Sequence, residues 1–350
     1  MMPHEKAAPS LPSISVLMPI RNEAAYVGRS IQAVLSQDYP SELIDILVAD
    51  GMSTDGTTEI VRSIQSTHPN VRLLMNPGKT APTALNLATR AASGDVLVRV
   101  DGHCEIERDY ISNCVRHLSE DGVDGVGGSI ETVGETDTAK AISLAMSSRF
   151  GVGNSAFRTI RGKTMLADTI PFPAYTRRIV ERAGEYDESM VRNQDDEYNY
   201  RIRKMGGRLL LADDVRSRYY SRATVLSLSR QYFGYGFWKA QVFRKHPRQM
   251  SIRQFVPSLF VLCLATGLLL APFSRMGRRL LSGTLIAYAA ASGAASTTLA
   301  ARTDWRNLRR LPVAFAAIHL SYGVGFLWGE RHLLKRSTEE HNDMRMEPEN

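Results

Sequence analysis

Three stretches near the end of the chain, residues 255–273, 280–300 and 311–328, contain no Asp, Glu, Lys or Arg. Each is close to the ~20 residues that an α-helix needs to cross the hydrocarbon of a bilayer. A helix that is apolar all round must be buried, either in a large protein core or in lipid. One such block fits a core, but three in succession point to membrane helices. The middle one, rich in Ala, Ser and Gly, suits close helix–helix packing. Basic residues crowd around the blocks, at Arg244, Lys245, Arg248, Arg253, Arg278, Arg279, Arg309 and Arg310. Anionic headgroups and the topology rule for Lys and Arg both favour that placement. It accounts for the net charge of +7 without nucleic acid, for which a basic strip interleaved with stacking aromatics is missing.

The expected arrangement is a multi-pass protein of the inner (cell) membrane, with three passes and its catalytic part in the cytoplasm. Residues 1–12 have no apolar signal core and read as disordered. Cys104, Cys114 and Cys263 have neither metal-ligand spacing nor an even count, which suits a reducing compartment. The mixed-charge tail, 331–350, also reads as disordered, which leaves 247–330 as the membrane domain and 13–246 as the catalytic domain.

Within 13–246 the pattern is strand and helix in alternation. Apolar runs at 14–19, 43–49, 71–75 and 95–100 read as buried strands, and residues 23–36, 57–66 and 82–92 have helical spacing. Such alternation implies right-handed crossovers and an α/β fold with a mostly parallel sheet. Ligands then bind beyond the carboxyl ends of the strands.

The polar residues at those ends are the candidates for chemistry. After the second strand comes Ala49-Asp-Gly-Met-Ser-Thr-Asp-Gly-Thr57. Asp55 reads as the N-cap of the following helix. Asp50 caps nothing obvious, so its carboxylate is assigned to a base or ribose. After the fourth strand, in Val100-Asp-Gly-His-Cys104, Asp101 can hold a hard cation such as Mg²⁺ or Mn²⁺, with substrate phosphates completing the shell. His103 is a second ligand for the softer Mn²⁺, or simply a solvated loop histidine. Further on, Arg192-Asn-Gln-Asp-Asp-Glu197 opens a helical stretch that ends near Lys204. Asp195, Asp196 and Glu197 suit the positive end of the helix dipole, or include a general base facing a cleft. They point in different directions, so at most one or two can face a site. Residues 231–238 (QYFGYGFW) read as an interfacial amphipathic helix, as a wall of an acceptor site, or as both.

Taken in order, residues 15–19 with Arg21-Asn-Glu23, the run 50–57, Lys79 with Ala84-Leu-Asn86, Asp101-Gly-His103, Asn193-Gln-Asp-Asp-Glu197 and residues 231–239 resemble the motifs of family 2 glycosyltransferases. The likeness is particularly to the glucosyltransferases of bacterial exopolysaccharide assembly. It implies a GT-A-like nucleotide-sugar fold and an inverting transfer from a nucleotide-diphosphate sugar, UDP-glucose in that group, to a lipid-linked saccharide. It also implies a Mg²⁺ or Mn²⁺ cofactor. By the same resemblance Asp50 contacts the base, Lys79 and Asp101 the donor, and Asp101 with His103 the metal. Asp195 takes the place of the catalytic base, with Asp196 and Gln231 secondary or on the acceptor side.

Three positions depart from the family pattern. Arg99 stands where the Asp-x-Asp signature has its first carboxylate, and Gln194 where a Glu precedes the base. Gly234 follows Gln231-Tyr-Phe, so the Gln-x-x-Arg-Trp signature of processive synthases is not intact, which argues for the addition of one sugar. Two rival functions stand beside this one: a polyprenyl-phosphate sugar transferase, whose phosphate acceptor needs no strong base, and a non-catalytic scaffold of a polysaccharide assembly complex, which Arg99 and Gln194 keep open. A dinucleotide enzyme is disfavoured because no Gly-x-Gly-x-x-Gly follows the first strand.

Overall fold

Residues 14–20 (ISVLMPI) are apolar without alternation because the strand they form, β1 (Ile14–Ile20), is buried on both faces. The computed structural model describes residues 11–153 and 155–346. In parallel with β1 run β2 (Ile44–Asp50) and β4 (Val96–Arg99), with Ile14 opposite both Ile44 and Val96, and β3 (Val71–Met75) pairs in parallel with β2. These four strands match the expected alternation to within a residue or two. The helices between them are α1 (Val27–Leu35), α2 (Thr57–Gln65) and α3 (Ala81–Ala91). Each presents an apolar stripe to the sheet, such as Val27, Ile31 and Val34 of α1, which are fully buried.

Beyond β4 the sheet becomes antiparallel. It is completed by β5 (Cys104–Ile106), β6 (Gly125–Val133), β7 (Met165–Leu166), β8 (Ala174–Thr176) and β9 (Leu209–Tyr220). The order is β3-β2-β1-β4-β8-β6-β9-β5, with β7 on β9. The remaining helices are α4 (Tyr110–Glu120), α5 (Asp137–Met146), α6 (Arg149–Val152), α7 (Ala156–Thr159), α8 (Arg177–Ala183) and α9 (Gln194–Lys204). They are followed by α10 (Val225–Lys245), α11 (Val256–Leu270), α12 (Arg275–Arg302) and α13 (Leu311–Met346).

The chain divides into two compact units. The first comprises the chain up to Ser129 with Gly162–Glu188 and Arg201–Ser217. The second comprises Ile130–Arg161, Ser189–Tyr200 and the chain from Arg218 onward. Cys104 and Cys114 are buried, free thiols of the first unit, and burial raises both above the usual thiol pKa.

In the second unit, α10 and α13 pack with their backbones in contact. A β-carbon on Gly236 would lie 2.0 Å from the Tyr322 carbonyl oxygen, and one on Gly325 would lie 2.2 Å from that of Phe233. Only glycine allows so close an approach, the device by which apolar helices associate where the hydrophobic effect gives no drive. His319, within α13, has both ring nitrogens engaged. Facing a carbonyl, Nε2 donates to Phe150 O at 2.9 Å, which leaves Nδ1 to accept from the Tyr288 hydroxyl at 3.0 Å.

All three apolar blocks are helical, but among the described residues two stretches, Ile252–Leu270 and Leu311–Leu333, are long and apolar enough to cross a membrane. The middle block lies in α12, whose alanines, serines and glycines lower its hydropathy below that of a spanning helix. α11 keeps large side chains outward, with Leu259 59%, Leu262 51% and Leu269 71% exposed. A soluble surface rarely presents so continuous an apolar face. The tail expected to be disordered from 331 continues as helix to Met346. Residues 1–10 and 347–350, where disorder was also expected, lie outside the described residues.

Candidate active site

The carboxyl ends of β1 and β4 and the start of α3 enclose an open cleft of about 190 Å³ in the first unit. Six of its lining residues are ionisable: Arg21, Glu23, Lys79, Arg99, Asp101 and His103. Lys79 is held at φ +58°, a conformation that costs a non-glycine residue about 1–3 kcal/mol and is kept where surrounding contacts enforce it. Here the side chain of Asn76 spans the turn, accepting from Gly78 N–H and donating to Thr80 O, both at 3.1 Å. Arg21 Nη1 donates to the Lys79 carbonyl at 3.3 Å. The following helix starts on a Thr80–Thr83 capping box.

Asp101 and His103 reach this cleft as expected, but each is already engaged. Both Asp101 oxygens are taken by Arg99, from Nε at 2.8 Å and Nη2 at 3.1 Å. His103 Nδ1 donates to Glu23 Oε1 at 2.9 Å. Among the described residues no three His, Cys, Asp or Glu side chains converge to hold a cation. As they stand, the residues expected to bind Mg²⁺ or Mn²⁺ do not fit one, because a guanidinium occupies the carboxylate on which the site would be built.

Asp50 does not line the cleft. It is fully buried and accepts from the hydroxyls of Ser53 and Thr58, the latter at 2.6 Å, so it shapes the loop that follows β2. The expectation that it caps nothing overlooked these hydroxyls three and eight residues ahead. Asp55 is not the N-cap expected of it: Gly56 takes that position at φ +93°, and Asp55, one residue earlier, accepts from Thr57 N–H at 3.1 Å. The Thr57 hydroxyl and then the Ala24 amide hold its carboxyl below the usual pKa.

The acidic start of α9 lies in the second unit, fastened to α10 and the turn after it. Asp196 pairs with Lys239, whose side chain is 9% exposed, and its carbonyl accepts from Gln249 at 2.9 Å. Glu197 is buried and lies 3.3 Å from His246 Nε2. Asn193, at φ +59°, donates from Nδ2 to Tyr235 O at 3.1 Å. Asp195 is partly exposed, and its Oδ1 accepts the amide of Asp196 at 2.9 Å. Asp196 and Glu197 thus fasten the helix, which explains the acid run better than the dipole alone. Gln231, expected on the acceptor side, is 4% exposed and donates to the hydroxyls of Tyr219 and Tyr235 at 3.1 and 2.9 Å. Burial pushes the Tyr219 hydroxyl up to about 12, so it stays a neutral partner. Lys239, His246 and Arg192 went unnoticed as site residues, because their partners lie far away in sequence. Arg192 lies beside Gly234, its Cδ, Nε and Cζ 3.0–3.2 Å from where a β-carbon would stand.

Residues 15–186 match the model of glycosyl transferase family 2. Over 265 residues the chain is 35% identical to the succinoglycan biosynthesis protein ExoA of Rhizobium meliloti (strain 1021), a match covering 73% of this chain and 77% of that one. The chain belongs to the family 2 glycosyltransferases. This glycosyltransferase is also 28% identical over 240 residues to a dolichyl N-acetyl-alpha-D-glucosaminyl phosphate 3-beta-D-2,3-diacetamido-2,3-dideoxy-beta-D-glucuronosyltransferase of Methanococcus voltae, covering 66% and 74% of the two chains. Its fold is shared with the mannosyltransferase PcManGT of Pyrobaculum calidifontis, solved with GDP-Man and Mn²⁺ (TM-score 0.53, 23% identity, 89% and 87% coverage). S. aureus TarS 1–349 is similar in the same way (TM-score 0.50, 15% identity, 91% and 92% coverage). The glycosyltransferase therefore has the GT-A-like architecture expected of it, with apolar helices at its C-terminal end.

Proposed function

We propose that this glycosyltransferase moves one sugar, with inversion, from a nucleoside-diphosphate donor to a lipid-linked saccharide during exopolysaccharide assembly. The reading rests on the cleft of the first unit, where Arg21, Lys79 and Arg99 face the place of a diphosphate beyond the strand ends. The name of the Rhizobium relative, a succinoglycan biosynthesis protein, supports the pathway class; glucose and UDP-glucose rest on the sequence resemblance alone. The apolar face of α11 supports insertion in a membrane; the multi-pass arrangement in the inner membrane, with the catalytic units on the cytoplasmic side, rests on the apolar blocks and their flanking basic residues.

The transfer then proceeds as a displacement. The acceptor hydroxyl loses its proton to Asp195 as its oxygen bonds to the anomeric carbon. The bond from that carbon to the diphosphate breaks, and the electron pair leaves with the nucleotide. Asp195 is assigned the base from the likeness of Asn193-Gln-Asp-Asp-Glu197 to the family signature, in which it takes the base's place. Asp50 serves the donor by shaping the loop after β2. Mn²⁺, present in the Pyrobaculum complex, or Mg²⁺ would add positive charge at the diphosphate if it could claim Asp101 and His103. No step is routed through it, because Arg99 holds that carboxylate.

The test is turnover of a panel of nucleotide-sugars by the purified full-length chain with membrane lipid extracts. Transfer of one labelled sugar onto a lipid-linked saccharide is expected. A product carrying a single sugar on polyprenyl phosphate would overturn the acceptor assignment. Donor binding without any turnover would mean a scaffold.

A further inference from the structure

We infer that Arg99 does here what a divalent cation does in a metal-loaded relative: it neutralises the donor diphosphate, so that nucleotide binding needs no metal. The inference rests on the donor-cleft reading above. Arg99 closes β4 two residues before Asp101, so both side chains emerge on the same face of the chain as it enters the cleft. Its guanidinium is fixed by the two-point contact with Asp101, and the residue is 8% exposed. A guanidinium held in one orientation keeps its positive charge beside the place of the diphosphate and loses little further freedom when the donor binds.

The charge count agrees. Leaving His103 aside, Arg21, Lys79 and Arg99 face Glu23 and Asp101, a balance of one positive charge. A carboxylate at position 99, as in the family signature, would make that balance one negative charge. The difference of two is the charge that a divalent cation brings. With arginine the cleft already opposes a diphosphate with positive charge, whereas with aspartate it would need the ion first. A cation seeking Asp101 would also have to displace the guanidinium from both of its oxygens.

The experiment is calorimetric titration of UDP and of GDP into the detergent-solubilised full-length chain, once in excess chelator and once in Mn²⁺. Equal affinity in the two conditions is expected for at least one nucleotide. Arg99→Ala should weaken binding about 10- to 100-fold in chelator, the range for losing hydrogen bonds to a charged group. Arg99→Asp should bind poorly in chelator and recover in Mn²⁺. Binding by the unmodified protein that collapses in chelator and returns with Mn²⁺ overturns the inference without recourse to any variant. So does an Arg99→Ala protein that binds as tightly as the parent in chelator. If neither nucleotide binds in either condition, the donor-cleft reading itself fails, and this inference with it.

Discussion

Replacing Asp195 by asparagine preserves shape and the acceptor oxygen that receives the Asp196 amide at 2.9 Å, and removes only the basicity. The α9 helix start should stay in place, because the variant leaves the contacts of Asp196, Glu197 and Asn193 untouched. The variant should melt with the parent and bind nucleotide with parental affinity, while kcat falls about 10²–10⁴-fold, the usual loss for a general base. Asp196→Asn is predicted to behave in the opposite way. It leaves the Lys239 ammonium, 9% exposed, facing a neutral amide. Removing one partner of a fully buried pair costs ~3–5 kcal/mol, and the quarter exposure of Asp196 with the hydrogen bond an amide can still accept reduces this to about 1–3 kcal/mol. Chemical denaturation and single-turnover transfer, measured on both variants, separate the two losses. A stable, inactive Asp196→Asn beside a fully active Asp195→Asn would refute the assignment of the base. Full activity in both would place the base elsewhere.

Further expectations follow from the packing and the charges. Gly236→Ala should lower the melting temperature, since its methyl would stand 2.0 Å from backbone, whereas Gly234→Ala should be milder because its nearest neighbour is the movable Arg192 side chain. Leu262→Arg on the exposed face of α11 should release the protein from membranes, because a charge near a spanning helix centre costs ~2.5–3.5 kcal/mol; unchanged membrane retention would show that this face is not in lipid. Asp55 and Asp95 have folded pKa values below the usual carboxylate value, held there first by the hydroxyls of Thr57 and Ser13. Their contribution is present above pH ~4 and is lost as the pH falls through the lowered values, so a double Asn variant should lose less stability on acidification than the parent in denaturant titrations.

How far the sequence reveals this molecule depends on the range of each interaction. β1 to β4 are legible because a strand buried on both faces must be uniformly apolar, and glycine and proline mark its ends. β7 and β8, of two and three residues, and the glycine-rich β6 carry no periodicity, since their pairing is decided by strands far away in the chain. Asp101 and His103 could be assigned to a cleft from their place after a strand. The Arg99 contact was also within reach, because residues two apart on a strand share a face. By contrast, Glu23 meets His103 across 80 residues and Lys239 meets Asp196 across 43, and neither separation leaves a local trace. The passage from three apolar blocks to two spanning candidates has a simple cause: lack of charge is not the same as hydropathy, and alanine and serine supply the first without the second.

The glycine contact between α10 and α13 has a practical consequence. An obvious route to a soluble enzyme is to stop the chain before Val256, removing every apolar helix. That truncation would also strip α10 of the backbone against which Gly236 rests, and α10 carries the lysine that grips Asp196. The shortened protein would keep its donor cleft while the acidic helix start lost its support. It should therefore bind nucleotide and catalyse poorly, and a crystal of it would show α9 in an arrangement that the intact chain does not adopt. Structural work on acceptor recognition is better done on the whole chain in a lipid nanodisc.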